Sequence, residues 1–134
     1  MTVREVMADV KVRLRPEDTL RGAAVALREA RTGLAIVDVP PSGGVLTERD
    51  VLRAIAESAD LDATPVRDYM TPDPIAVEPE SELDAACDLM ISHGVRHLLV
   101  SEGNTLVGVL NMRDVVGVLS GAATLGAVPP ARGS

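Results

Sequence analysis

Aromatic side chains are almost missing from this chain. It has no tryptophan, no phenylalanine and a single tyrosine, Tyr69. Without rings there is no platform on which unpaired bases can stack. A net charge of −7 removes the other requirement for nucleic-acid binding, a surplus of Lys and Arg that neutralises phosphates. No nucleic-acid partner is therefore expected. The lone cysteine, Cys87, permits no intrachain disulfide, and together with two histidines it offers no zinc-ligand spacing. It falls on the apolar stripe of a predicted helix and reads as a buried, inert thiol. No apolar run approaches the length of a membrane span, and the N-terminus lacks a secretory-signal pattern. A protein of the cytoplasm with no membrane partner is expected. The chain has neither Gly-x-Ser-x-Gly nor a P-loop. Its twenty acidic residues fall mostly at predicted helix starts or on solvated faces, and no nucleophile is set beside a base. No catalytic residue, catalytic cofactor or metal site is assigned, and an enzyme is not expected.

What is present is aliphatic and repeated. Apolar residues make up 46% of the chain, nearly all of them Val, Leu, Ala, Ile and Met. Such a core needs branched aliphatics on a sheet and small residues on helices. At an offset of 63, Val3-Arg4, Met7, Pro16-Glu17, Leu20, Ala23 and Val37 match Val66-Arg67, Met70, Pro79-Glu80, Leu83, Ala86 and Val100. After one extra residue the offset becomes 64. Gly44-Val45-Leu46 and Arg49-Asp50-Val51 then match Gly108-Val109-Leu110 and Arg113-Asp114-Val115. That makes fourteen identities, where ordinary residue frequencies would give about four by chance over such a length. The chain is a duplication. Each copy alone is near the lower size limit for an independent core, so the two are expected to fold as one domain. The boundaries read as repeat 1 over residues 1–60, repeat 2 over 61–121 and a flexible C-terminal tail over 122–134.

Each repeat reads as strand, helix, strand, strand, helix (βαββα), an α/β (α+β) fold with pseudo-two-fold symmetry, sheets together and helices outside. Val10, Val12 and Leu14 alternate as in a half-buried strand. Pro16 ends it, and Asp18 or Thr19 can cap a helix whose face is Leu20, Ala23, Ala24 and Leu27. The second copy repeats that stripe with Leu83, Ala86, Cys87 and Met90 after a possible Ser81 cap. The runs Leu34–Val37 and Leu98–Val100 follow. Pro40-Pro41-Ser42-Gly43 forms the next turn in one copy and Glu102-Gly103-Asn104 a short hairpin in the other. The last helices place Val51, Leu52 and Ile55, and Val115, Val116 and Leu119, inward. Ser58 to Ala63 is a polar linker. Thr64-Pro65 reads as a cap and first-turn proline opening a short helix over Val66 to Met70.

The duplicated pattern, the lead-ins Val3-Arg4-Glu5-Val6-Met7 and Val66-Arg67-Asp68-Tyr69-Met70-Thr71, and the paired Gly-Val-Leu-x-x-Arg-Asp segments resemble a tandem pair of CBS domains, a Bateman module, over about residues 1–120. The resemblance implies a regulatory sensor that binds adenosine nucleotides (AMP, ADP or ATP) in clefts between the repeats. It implies modules that pair as homodimers and act on a fused or partner effector protein. No other domain is read here, so the module is expected to stand alone.

Thr47 ends a strand and opens a helix. Amides at a helix N-terminus, with a hydroxyl beside them, suit a phosphate, and Asp50 one turn on can accept both hydroxyls of a ribose. Thr-x-x-Asp at a helix start is also a capping box needing no ligand, and the two readings compete. In the second copy Asn111 stands where the family carries a hydroxyl. Asn caps equally well, and Asp114 keeps the ribose acceptor. In the family the base meets main chain at positions that match Ile75 and Ala76 for the Asp50 site, and Val12 and Arg13 for the Asp114 site. Arg96 and His97 match basic phosphate ligands, with His97 expected toward Asp50 and Arg96 toward Asp114. A solvated strand end is the bland alternative for both. His93 reads as a partner of its own helix C-terminus. The alternative function is a ligand-free CBS protein that dimerises or docks on partners through helix faces such as Val51/Ile55 and Val115/Leu119. Asn111 and the missing effector domain favour it.

Overall fold

The computed structural model describes residues 1–121. The expected tail, 122–134, lies outside them. The chain divides into two compact units, Val10–Pro74, and Met1–Asp9 together with the chain from Ile75 onward.

In the Val10–Pro74 unit the elements are β1 (Arg13–Leu14), α1 (Leu20–Ala30), β2 (Leu34–Val37), β3 (Gly44–Thr47) and α2 (Glu48–Ala56), then a 3-10 turn (Val66–Asp68) and β4 (Thr71–Pro72). The sheet order is β1-β2-β3-β4, with β1 parallel to β2 and the other pairs antiparallel. The second unit carries a 3-10 turn (Val3–Glu5), β5 (Ala76–Val77), α3 (Leu83–His93), β6 (His97–Glu102), β7 (Thr105–Asn111) and α4 (Met112–Leu119). Its sheet runs β5-β6-β7, with Ala8 bridging to Val109 on the free edge of β7. The βαββα order expected of each repeat is present twice.

The cores are aliphatic. Leu20, Ala23, Leu27, Ala35, Val37, Leu46 and Ala54 fill one, and Leu83, Ala86, Met90, Leu98, Val100, Leu110 and Val115 the other. Burying each of the larger side chains contributes about 1.5–3 kcal/mol, so number makes up for the missing rings. Some local expectations shift. The first strand shortens to Arg13–Leu14, although Val12 is buried and its carbonyl accepts from Ile36 N. Thr19, not Asp18, caps α1, accepting from Gly22 N at 3.1 Å. Asp18 instead accepts from the backbone N–H of Arg15. Ser81 does not cap α3. Glu82 holds that position, with no side-chain hydrogen bond. The helix after Thr64 is a single 3-10 turn with Pro65 at its N-cap. Cys87 is half-buried, and desolvation, then Asp84 and Asp88, push its thiol pKa up, which keeps it protonated.

The largest departure concerns α2 and α4. Val51 and Val115 face the cores, but Leu52, Ile55, Val116 and Leu119 are 65%, 52%, 54% and 61% exposed. Each helix carries two adjacent apolar stripes at i, i+3 spacing. The inward residues are Val51 and Ala54 in α2, smaller than Leu52 and Ile55, and Val115 in α4.

The lead-ins are exchanged. Residues 1–9 belong to the unit built on repeat 2, and 66–72 to the unit built on repeat 1. The same backbone bonds fasten both. Leu20 N donates to Thr64 O, Val66 N to Asp18 O and Arg67 N to Pro16 O. Shifted by 63, Leu83 N donates to Met1 O, Val3 N to Ser81 O and Arg4 N to Pro79 O. Val3 and Val66 are both fully buried at these joins.

Candidate functional site

The Gly-Val-Leu-x-x-Arg-Asp segments form the junctions β3–α2 and β7–α4. Their glycines serve packing. A Cβ on Gly44 would sit 2.8 Å from Met70 Sδ, and one on Gly108 would sit 2.9 Å from Met7 Sδ and 2.9 Å from the carbonyl oxygen of Ala8. Each glycine makes room for the methionine of the lead-in docked on its unit.

At the first junction Asp50 is folded back. Its Oδ2 accepts from Thr47 N at 2.9 Å and from Thr47 Oγ1 at 3.1 Å, and Asp50 N donates to Thr47 Oγ1 at 3.2 Å. This is the capping box, so the structural role foreseen for Thr-x-x-Asp is realised. A ligand hydroxyl must share Oδ1 or displace the Thr47 bonds. Glu48 N is already given to Gly33 O at 2.9 Å.

The second junction differs. Asn111 Oδ1 accepts from Arg113 N at 2.8 Å, and Met112 N donates to Arg96 O at 2.7 Å. No box closes. Among the described residues the exposed Asp114 carboxylate has neither hydrogen bond nor ion pair. His97 lies directly across from Asn111 in the β6–β7 pairing. Opposed residues of antiparallel strands share a face, so the imidazole and the Asn111 amide are neighbours. His97, Asn111 and Asp114 thus gather in one unit, with Arg96 exposed beside them. The equivalent pair in the other sheet is Leu34 and Thr47, which carries no cation.

The positions matched to base contacts lie on first strands. Val12 O accepts from Ile36 N at 3.0 Å and Ile75 O from Leu99 N at 3.0 Å, so both carbonyls already serve their sheets. Ala76 pairs with Leu99 and Arg13 with Ile36. The exposed Arg13 guanidinium pairs with Asp38 at 2.9 Å. Val12, Arg13, Thr47 and Asp50 thus lie in the Val10–Pro74 unit, and Ile75, Ala76, Arg96, His97, Asn111 and Asp114 in the other. His93 ends α3 with Nδ1 3.0 Å from Leu89 O, a partner of its own helix terminus. Sequence reasoning passed over Arg53, 3.6 Å from Asp50 Oδ1, and Tyr69, whose ring lies under the Arg53 guanidinium. The i, i+3 spacing from Asp50 to Arg53 on one helix was the available signal.

Because only the first acid is bound into its cap, the two acids differ in stability cost. Asp50→Ala is expected to lower unfolding free energy by about 1 kcal/mol, the usual worth of a helix cap. Asp114→Ala should stay within about 0.5 kcal/mol of the parent, as exposed substitutions do. Urea denaturation curves check both, and equal losses would show that the box contributes nothing.

Among the described residues no helix is long and apolar enough to cross a membrane, and no group of three or more His, Cys, Asp or Glu could hold a metal. A family model for the CBS domain matches residues 3–57 and again 66–121. A 17.7 kDa protein from the bps2 3′ region of Acidianus ambivalens is 34% identical over 115 residues, which cover 84% of this chain and 69% of that one. The CBS domain-containing protein YhcV of Bacillus subtilis is 29% identical over 116 residues, covering 85% and 82%. A solved CBS domain protein of Pyrobaculum aerophilum, complexed with AMP, aligns with a TM-score of 0.77 at 32% identity, covering 92% of this chain and 99% of that one.

Proposed function

Since the chain belongs to the CBS-domain family and carries the unit twice, we propose that this regulatory module senses an adenosine nucleotide of the AMP, ADP and ATP class and catalyses nothing itself. The observation that carries this reading is the Asp114 carboxylate at the start of α4, uncommitted among the described residues and gathered with Asn111 and His97. A carboxylate with both oxygens open matches the two donors of a ribose diol, and charge-assisted bonds of this kind contribute about 1.5–3 kcal/mol each. Asn111 can donate its side-chain amide to a phosphate while its oxygen caps the helix. Arg96 adds a positive charge in a chain of net charge −7, and His97 a ring nitrogen able to hydrogen-bond. The AMP complex of a relative 32% identical to this chain supports the ligand class. At the first junction Asp50 has only Oδ1 clear of its bonds to Thr47, and Arg53 stands 3.6 Å from that oxygen, so that turn is the weaker site. Isothermal titration with AMP, ADP and ATP tests the reading. Saturable heat is expected for at least one of them, and its loss in Asp114→Ala would place the site.

A second reading rests on a separate observation. Leu52/Ile55 and Val116/Leu119 repeat the same exposed apolar pair on α2 and α4. Such pairs suit a homodimer of the module, with or without ligand. Sedimentation at tens of micromolar is expected to give a dimer, and the double variant Leu52→Glu/Leu119→Glu a monomer. A parent chain that sediments as a monomer would end this reading.

A further inference from the structure

The two junctions are duplicated, but the side chains around them are not. In the first, Arg53 follows Asp50 by one turn of α2. Its Nη2 lies 3.6 Å from Asp50 Oδ1 and donates to the carbonyl of Tyr69 at 3.2 Å. Its guanidinium covers the Tyr69 ring, 4.7 Å from the centroid. The Tyr69 hydroxyl donates to Glu57 Oε1 at 2.8 Å, and Glu57 Oε2 lies 4.0 Å from Arg53 Nη1. One guanidinium therefore joins the acid of the candidate site to the lead-in that bears the chain's only aromatic ring.

The second repeat serves as an internal control. At the matching offsets it has Gly117 for Arg53, Val6 for Tyr69 and Gly121 for Glu57. It nevertheless builds the same βαββα order and fastens its lead-in by the same backbone bonds. The fold does not require the Arg53 group. Nor does the capping box, which closes through Asp50 Oδ2 and Thr47 alone. Arg53 acts on the other oxygen, Oδ1, the one left open to a ligand hydroxyl.

We propose that Arg53 is a positioning residue that couples the Asp50 carboxylate to Tyr69, so that a ligand engaging Asp50 is signalled to the lead-in at 66–70. This rests on the nucleotide reading above, applied to the first turn. A hydroxyl donating to Oδ1 competes with the guanidinium for the same charge. Arg53 then shifts its weight to the Tyr69 ring and carbonyl and to Glu57, and the lead-in feels the change. A cation over an aromatic ring and a phenol held by a carboxylate both alter that ring's emission and titration. The Glu57 hydrogen bond, with burial, already raises the Tyr69 phenol pKa.

The full chain is titrated with AMP while heat and tyrosine emission are followed together. The expected result is an emission change that saturates at the midpoint of the Asp50-dependent heat, the part missing in Asp50→Ala. Arg53→Gln should keep that heat, with affinity no weaker than the parent's because the competing cation is gone, and lose at least four-fifths of the emission change. Asp50-dependent heat without an emission change, or an equal change in Arg53→Gln, overturns the coupling and leaves the nucleotide reading standing. Absence of Asp50-dependent heat overturns the nucleotide reading at this turn. The coupling is then judged without ligand by titrating the phenol spectrophotometrically. Asp50→Asn should move the Tyr69 midpoint in the parent and not in an Arg53→Gln background, and equal shifts in the two backgrounds overturn it.

Discussion

Gly108→Ala is expected to lower the unfolding free energy by about 1–3 kcal/mol, the range for forcing an extra carbon into a filled space. The added Cβ would fall 2.9 Å from the Ala8 carbonyl oxygen. That oxygen cannot swing away, because Ala8 and Val109 exchange both backbone bonds, Ala8 N to Val109 O at 2.8 Å and Val109 N to Ala8 O at 2.9 Å. Relief therefore means peeling the lead-in from β7, with the buried Val3 behind it. Gly44→Ala is the natural comparison. Its nearest obstacle is Met70 Sδ at 2.8 Å, the adaptable part of an unbranched chain, and backbone comes only at 3.2 Å. Its loss should be the smaller of the two. Thermal and urea unfolding of both variants checks the ranking. A Gly108→Ala protein as stable as the parent would mean that the lead-in is not held where the structure places it.

The second large effect concerns binding. Asp114→Ala is expected to weaken adenosine nucleotide binding by about 10- to 100-fold, the loss of one charge-assisted hydrogen bond. Its stability should hardly change. Asp50→Ala should show the opposite balance, a measurable loss of stability and a smaller loss of affinity, because its carboxylate is already occupied by Thr47. Calorimetric titration of the two variants beside the parent separates the cases. If Asp50→Ala removes most of the heat and Asp114→Ala removes none, the weight of the site lies on the first turn, and the free carboxylate is only a solvated helix-start acid.

Much of this fold could be read from the residues, for a physical reason. Aliphatic runs bounded by Pro and Gly mark the strands, and offsets of 63 and 64 carry each assignment from one copy to the other. Surface-facing detail was harder to read. In α2 the stripes Val51/Ala54 and Leu52/Ile55 have the same spacing, and periodicity cannot choose between them. The smaller stripe went inward, where the packing leaves less room. The exchange of lead-ins was hidden for a different reason. It depends on which of two similar segments docks on which unit, and Val3-Arg4 and Val66-Arg67 look alike to any local rule. At the candidate site, Thr47, Asp50, Asn111 and Asp114 were legible from the motif. The unequal state of the two acids was not, because it follows from Thr against Asn at the cap. Thr47 offers a hydroxyl that both donates to Asp50 and accepts from it, whereas Asn111 turns its oxygen to Arg113 N and leaves Asp114 open. Arg53 and Tyr69 were missed because their meeting spans 16 residues.

The proposed role in nucleotide sensing is tested most directly by titrating AMP, ADP and ATP into the purified chain in a calorimeter, up to millimolar ligand, with melting temperature followed in parallel. Saturable heat and a raised melting temperature with at least one nucleotide are expected, since a ligand that binds only the folded state stabilises it. Flat titrations and unmoved melting curves with all three would contradict it.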